Sequence, residues 1–272
     1  MNVVWLQQTE TQIPQGVEWL SLAERCHLCG LRFPKRRCDW RLGRWTAKSA
    51  VALYLGCALP AAPRYVEIWP DLAGAPEVFI GGYRAGFSIS LSHRAGAAMA
   101  AIAPSGGAVG CDLECIEPHS DLFVADYFTP EEQGLIRRSR ACDQAALVSL
   151  LWSAKESALK ALHLGLRVDT RSLLVSFAGK AATTWNDLDC REEQGWHGFT
   201  VRLSSGPTLS GCWQRSVNLV RTVVADAALL PPAWLEVAIE RCGPAHSGHH
   251  FPVMHNSHAA VPFITGCKLA PG

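Results

Sequence analysis

Long apolar runs are missing from this 272-residue sequence. Nothing approaches the roughly eighteen consecutive apolar residues that a membrane-spanning helix needs. The opening MNVVWLQQTETQ has no basic stretch followed by an apolar one, so no secretory signal is expected and a cytoplasmic location is. Charge of one sign is also lacking: 25 Lys and Arg against 24 Asp and Glu leave a formal net charge of +1. That balance argues against a broad nucleic-acid footprint or a membrane surface as partner, and any phosphate site must be a local patch. No dense cysteine framework is present either. The 11 cysteines are odd in number and scattered, which suits reduced thiols. Cys26 and Cys29 form a CxxC near Cys38, but no second pair follows at zinc-finger spacing, so they read as buried thiols. What is present is 49% apolar residues, enough for a substantial core.

Hydrophobic periodicity predicts strand at Val3–Leu6, then helices over Val17–Cys29 and Asp39–Leu55. Residues 60–85 read as loops and a short strand. The stretches GFSISLSH, AAMAAIA and GGAVGCDLECI read as three strands ending near residue 116. Thr129, Pro130 and Glu132 form a capping box that starts a helix, and a long helix is predicted over Asp143–His163. Four short strands follow: Leu173–Phe177, Gly198–Leu203, Leu209–Trp213 and Leu219–Ala225. The fold class is therefore α+β, two similar halves of helix packed on a small antiparallel sheet. The domains expected are 1–106, 107–228 and a His/Pro-rich disordered tail over 229–272. No repeat is visible in the sequence itself.

Four constellations carry chemistry. In GCDLE, Asp112 and Glu114 share one strand face, and two carboxylates so placed repel unless a cation sits between them. A hard divalent ion such as Mg²⁺ fits oxygen donors, although a solvated strand face is the plainer alternative. Gly110, just upstream, removes a side chain and lets a ligand approach the backbone. In WSAKESALK, the stripe Leu147, Leu151, Ala154, Ala158 and Leu162 faces the core. Trp152, Glu156 and Lys160 fall at i, i+4, i+8 on the opposite side, with Lys155 at the core edge. If that face packs on GCDLE, Trp152 is covered and Glu156 becomes a third carboxylate. In PKRRCDWRLGRWTAK, Arg37, Arg41, Arg44 and Lys48 make a basic helical stripe, either solvated or a polyanion site. Ser92-His93-Arg94 ends a strand with three phosphate donors in a row.

Together these residues resemble the 4'-phosphopantetheinyl transferases, in particular the surfactin-type, single-chain pseudodimeric branch. The resemblance runs from about Phe33 to Leu166 and rests on Gly110-x-Asp112-x-Glu114 with Trp152-x-x-Lys155-Glu156-x-x-x-Lys160. RLGRWTAK and SISLSH are similar to that family's basic and phosphate-contacting motifs. The resemblance implies an intramolecular pseudodimer, a monomer that moves the phosphopantetheine arm of coenzyme A to a serine of an apo carrier protein and releases 3',5'-ADP. It implies Mg²⁺ on Asp112, Glu114 and Glu156, and Arg36, Arg44, Lys48, Ser92 and His93 on the coenzyme A phosphates. Lys155 and Lys160 would hold the diphosphate, with Glu156 as base and Trp152 anchoring its helix against the first half. Gly74-Ala75-Pro76 lacks a lysine that many relatives carry, leaving Arg84 or Arg94 to supply that contact. Two other activities fit the same residues: a Mg²⁺-dependent diphosphate hydrolase, and a non-catalytic carrier-binding protein.

Overall fold

A computed structural model describes residues 1–57, 63–177 and 195–235. The elements run β1 (Val4–Thr9), α1 (Leu22–Gly30), α2 (Pro34–Tyr54), β2 (Val66–Pro70), β3 (Pro76–Ile80), β4 (Tyr83–Arg84), β5 (Ser88–Arg94), β6 (Ala97–Ala103) and β7 (Val109–Cys115). Then follow α3 (Asp121–Tyr127), α4 (Pro130–Arg138), α5 (Ala141–Ala161), β8 (Leu173–Phe177), β9 (His197–Leu203), β10 (Thr208–Arg215), β11 (Leu219–Ala225) and β12 (Ala233–Trp234).

These strands form a sheet in the order β12-β1-β6-β5, a second in the order β7-β11-β10-β9-β8, and a small β2-β3-β4 sheet. The 21-residue α2 packs on the first and the 21-residue α5 on the second. The α+β expectation holds. α2 begins at Pro34, where the fixed ring dihedral suits a first helical position, a turn before the periodicity becomes visible. α1 begins only at Leu22, because Ser21 caps it by accepting from the Glu24 N–H at 3.2 Å. α3 had no sequence signal beyond Ser120, whose hydroxyl accepts from the Phe123 N–H.

Strand β6 explains its own composition. Every residue of AAMAAIA is buried, because Ala100 and Ile102 face α2 while Met99, Ala101 and Ala103 face the second sheet. Small side chains let two layers close on one strand. The two sheets meet edge to edge at β5 and β7. Ser90 Oγ accepts from the Cys111 N–H at 2.9 Å and Ser92 Oγ from the Leu113 N–H at 3.3 Å. Serine hydroxyls thus satisfy edge amides that would otherwise be orphaned.

The second sheet receives α5 at unusually short range. A Cβ on Gly110 would lie 1.8 Å from the Ser157 carbonyl oxygen and 2.7 Å from the Ala161 nitrogen. Gly110 therefore makes room for the helix backbone and not for a ligand, which corrects the sequence reading. Ser153 and Ser157 hydroxyls reach Thr222 Oγ1 of β11 at 2.9 and 2.6 Å. Cys26, Cys29 and Cys38 are exposed, so the expected burial of the CxxC is also corrected.

β12 lies inside the stretch expected to be a tail. It runs parallel to β1, with Ala233 N–H donating to Val3 O and Leu235 N–H to Trp5 O, both at 2.9 Å. Trp234 meets Trp5 edge-on at 4.5 Å. The disordered tail expected over 229–272 therefore does not begin at residue 229, and the residues after Leu235, with the clustered histidines, lie outside the described residues. Two backbone hydrogen bonds and one aromatic pair together contribute about 2 kcal/mol. A chain ending at Leu230 is expected to lose that much relative to one ending at Leu235, read from denaturant midpoints. Equal midpoints would show that β12 contributes nothing. Among the described residues no helix is long and apolar enough to cross a membrane.

Candidate active site

From Ala146 to Ala161 every α5 side chain is buried except Trp152, Glu156 and Lys160. The stripe at i, i+4, i+8 is thus the helix's open face, as expected, and its last two members look onto β7. Lys160 Nζ donates to Asp112 Oδ1 at 2.7 Å and to the Cys111 carbonyl at 3.1 Å, and stands 3.8 Å from Glu156. Ser92 Oγ–H donates to the same Asp112 Oδ1 at 2.8 Å. Asp112 is 2% exposed, and its other oxygen, Oδ2, is buried without a hydrogen-bond partner. Arg94 Nε lies 3.3 Å from Glu114 and its other end pairs with Glu117. Three carboxylates and two cations from both sheets and α5 therefore converge.

The electrostatics record that convergence. Burial first, and then the Asp112 charge, push the Glu114 carboxyl up to about 7. Burial and Asp112 likewise raise Glu156. Burial works against the Lys160 ammonium, but Asp112, Cys111 and Glu156 more than offset it, and its pKa is raised. Lys160 thus stays charged. The donor set, all hard oxygens with one orphaned, suits a divalent cation. It is not preassembled: among the described residues no three His, Cys, Asp or Glu side chains are close enough together to hold a metal ion. Lys160 and Arg94 supply the counter-charge in this arrangement.

Beside the cluster lies a cleft of about 510 Å³ whose lining includes Arg36, Arg44, Ser92 and His93. A second cleft, on Lys160 and His163, shares Gly74, Pro76 and Leu91 with it. Four residues expected on an anionic ligand are therefore gathered in the first cleft, and a fifth in its neighbour. The cleft's aromatic wall had no signal in the sequence pattern. Arg44 lies over Trp40 at 5.0 Å and over Trp69 at 5.9 Å, and His27 lies 5.2 Å from Trp40. Burial pulls the Arg44 guanidinium down to about 10, and its Nε is buried without a partner. Trp40 was legible only as the helical neighbour of Arg44 at i−4; Trp69 and His27 come from separate elements.

Four expectations fail on geometry. Lys48 does not face the cleft: it is fully buried, paired with Glu24, and donates to the Trp19 carbonyl at 3.1 Å. Lys155 does not reach round to the cluster: it is fully buried, 2.7 Å from Glu132, donating to the carbonyls of Thr170 and Tyr127. One residue off the open stripe, its stem points into the core beneath α4. Trp152 does not anchor α5 against the first half but packs on Phe123 and Tyr127 of α3, at 5.3 and 5.1 Å. Arg41 leaves the basic stripe as well, donating to the carbonyls of Pro14, Gln15 and Gly16. Of the two arginines considered in place of the missing lysine, Arg84 pairs with Glu77 on the outer hairpin, and Arg94 joins the cluster.

Residues 108–211 match the family model described as the 4'-phosphopantetheinyl transferase superfamily. A curated relative, the 4'-phosphopantetheinyl transferase HetI of Nostoc sp., is 28% identical over 163 residues, covering 59% of this chain and 67% of its own. A holo-(acyl-carrier-protein) synthase from Bacillus anthracis str. Ames, solved in complex with CoA (3',5'-ADP), is 21% identical and covers 37% of this chain and 92% of its own. The TM-score between the two is 0.32.

Proposed function

From membership of the 4'-phosphopantetheinyl transferase superfamily, carried by residues 108–211, we propose that this transferase moves the phosphopantetheine arm of coenzyme A to a serine of an apo carrier protein. The observation that carries the reading is the Asp112–Lys160–Glu156 cluster opening beside the Arg44–His93 cleft. One part suits a diphosphate undergoing transfer, the other the remaining phosphate and base of a nucleotide. The 21-residue helix on each of two sheets supports treating the chain as an intramolecular pseudodimer acting as a monomer.

In this reading Arg36, Arg44 and His93 bind the nucleotide phosphate, and Trp40 and Trp69 offer the base a flat apolar face. Ser92 acts less as a phosphate donor than as the hydroxyl that fixes Asp112, since its proton is already directed there. Asp112, with Glu114 and Glu156, would hold Mg²⁺, which supplies charge neutralisation at the diphosphate when bound. Lys160, charged and seated at the carboxylates, stabilises the negative charge that builds on the leaving oxygens. Glu156, with a raised pKa, is the base for the attacking serine hydroxyl, directly or through a water.

Incubation with coenzyme A, Mg²⁺ and a panel of apo carriers, followed by intact mass, tests the proposal. The carrier should gain the phosphopantetheine mass. Cleavage of coenzyme A without any carrier would indicate a hydrolase instead, and complex formation without a mass change would indicate a binder. Arg44→Ala is expected to raise KM for coenzyme A, by the ~1.5–3 kcal/mol typical of a lost charged hydrogen bond, with little change in kcat. An unchanged KM would remove Arg44 from the site.

A further inference from the structure

The two buried lysines that fail as phosphate ligands do the same thing twice. Glu24 and Glu132 are each the third residue of a short helix and close a capping box, with Ser21 and Thr129 respectively. Each uses one oxygen on the capping amide, Oε2 on Ser21 N–H at 3.1 Å and Oε2 on Thr129 N–H at 2.9 Å. That same oxygen pairs with a lysine of the following long helix, Lys48 of α2 or Lys155 of α5. The second oxygen accepts a strand amide, from Ile68 N–H of β2 at 3.4 Å or Val175 N–H of β8 at 3.0 Å. Lys48 also donates to the Trp19 carbonyl and Lys155 to those of Tyr127 and Thr170, and each lies near an aromatic ring, Trp19 at 5.8 Å or Phe128 at 5.2 Å. All four side chains are at most 1% exposed. A buried pair with every other donor and acceptor engaged fixes geometry, because neither partner can move without stranding the other.

What each pair fixes differs. The first ties α2 to β2 one turn from Arg44, and the residue after Ile68 is Trp69, which walls the cleft. The second ties α5 to α3, α4 and β8 at the residue before Glu156, one turn and a little from Lys160. We infer that Glu24–Lys48 and Glu132–Lys155 are a duplicated pair of positioning clamps, the first setting nucleotide binding at Arg44 and Trp69, the second setting the transfer step at Glu156 and Lys160. The inference rests on the transferase reading above. Neither glutamate touches substrate in it; each acts through the helix it holds.

The test replaces each pair by uncharged side chains of similar length, so that no buried charge is left alone: Glu24→Gln/Lys48→Met and Glu132→Gln/Lys155→Met. The first is expected to raise KM for coenzyme A about tenfold with kcat within about twofold. The second should lower kcat at least about tenfold with KM nearly unchanged, since small displacements of reacting groups are costly to the chemical step. A purely structural role predicts the same pattern from both, so equal effects, or none, in carrier loading overturn the inference. Should either double variant fail to fold by circular dichroism, Lys48→Arg and Lys155→Arg keep the charge while changing the head group, and the same split is required of them. A wild-type chain that loads no apo carrier would instead overturn the functional reading, an outcome separate from a missing split in an active enzyme.

Discussion

Gly110→Ala is expected to destabilise the protein by at least the ~3 kcal/mol upper end of ordinary overpacking costs and to remove most transfer activity. The added methyl would sit 1.8 Å from Ser157 O and 2.7 Å from Ala161 N. Those two atoms are partners in the α-helical i to i+4 ladder, so the intruder strikes backbone that no rotamer change can clear. Either α5 lifts off β7 or β7 bends away from β11. Lifting α5 stretches the Ser153 and Ser157 contacts to Thr222, which are buried, and draws Lys160 away from Asp112, 2.7 Å distant. A displacement of about 1 Å at reacting groups can cost roughly 100-fold in rate. Urea unfolding and carrier loading measure the two effects separately. A wild-type midpoint together with wild-type loading would show that the close approach is neither stabilising nor needed by the site.

Period and punctuation made much of this molecule legible. Strands Leu173–Phe177 and Leu219–Ala225 appear with the predicted ends. Leu219–Ala225 keeps them as an apolar run buried on both faces from Thr222 to Ala225, and Leu173–Phe177 because one face is buried in the core beneath α5 and alternation survives. The open face of α5 was legible for the same reason. What failed was side-chain direction one position off a stripe. Lys155 is a single residue from Glu156, yet the 100° step turns its stem into the protein, where Glu132 waits. Periodicity places a charged residue at the edge of a core and does not say which partner it finds there. Lys48 was drawn into the basic stripe by spacing and by the resemblance of RLGRWTAK to a basic motif, and only tertiary structure brings Glu24 to it. The duplicated clamp escaped notice because it is four positions per half, Ser21, Glu24, Lys48 and the strand amide against Thr129, Glu132, Lys155 and theirs, diluted in unrelated residues. The aromatic wall depends on α1, α2 and β2 meeting, which no local pattern encodes.

Glu156→Gln separates the chemistry from the scaffold. The amide keeps the shape of the side chain, and Glu156 makes no contact that α5 needs for packing. The helix is held by Gly110, by the serine–Thr222 bonds and by Lys155, while Trp152 leans on Phe123 and Tyr127. Folding should therefore be close to normal. Removing the charge takes away one of the three carboxylates proposed for Mg²⁺ and the base proposed for the serine. General base catalysis contributes typically ~10²–10⁴-fold, and a weakened metal site adds to the loss. Lys160 keeps Asp112 as its partner at 2.7 Å, so the ammonium remains in place and the variant does not simply rearrange the cluster. Coenzyme A should still bind through Arg44 and His93, which lie in the neighbouring cleft. The expected result is normal unfolding, retained coenzyme A binding by calorimetry and carrier loading reduced at least ~100-fold in kcat. A variant that keeps more than about half of the turnover at saturating Mg²⁺ would show that Glu156 is neither the base nor an essential ligand, and the transfer step would then have to be rebuilt around Asp112 and Glu114.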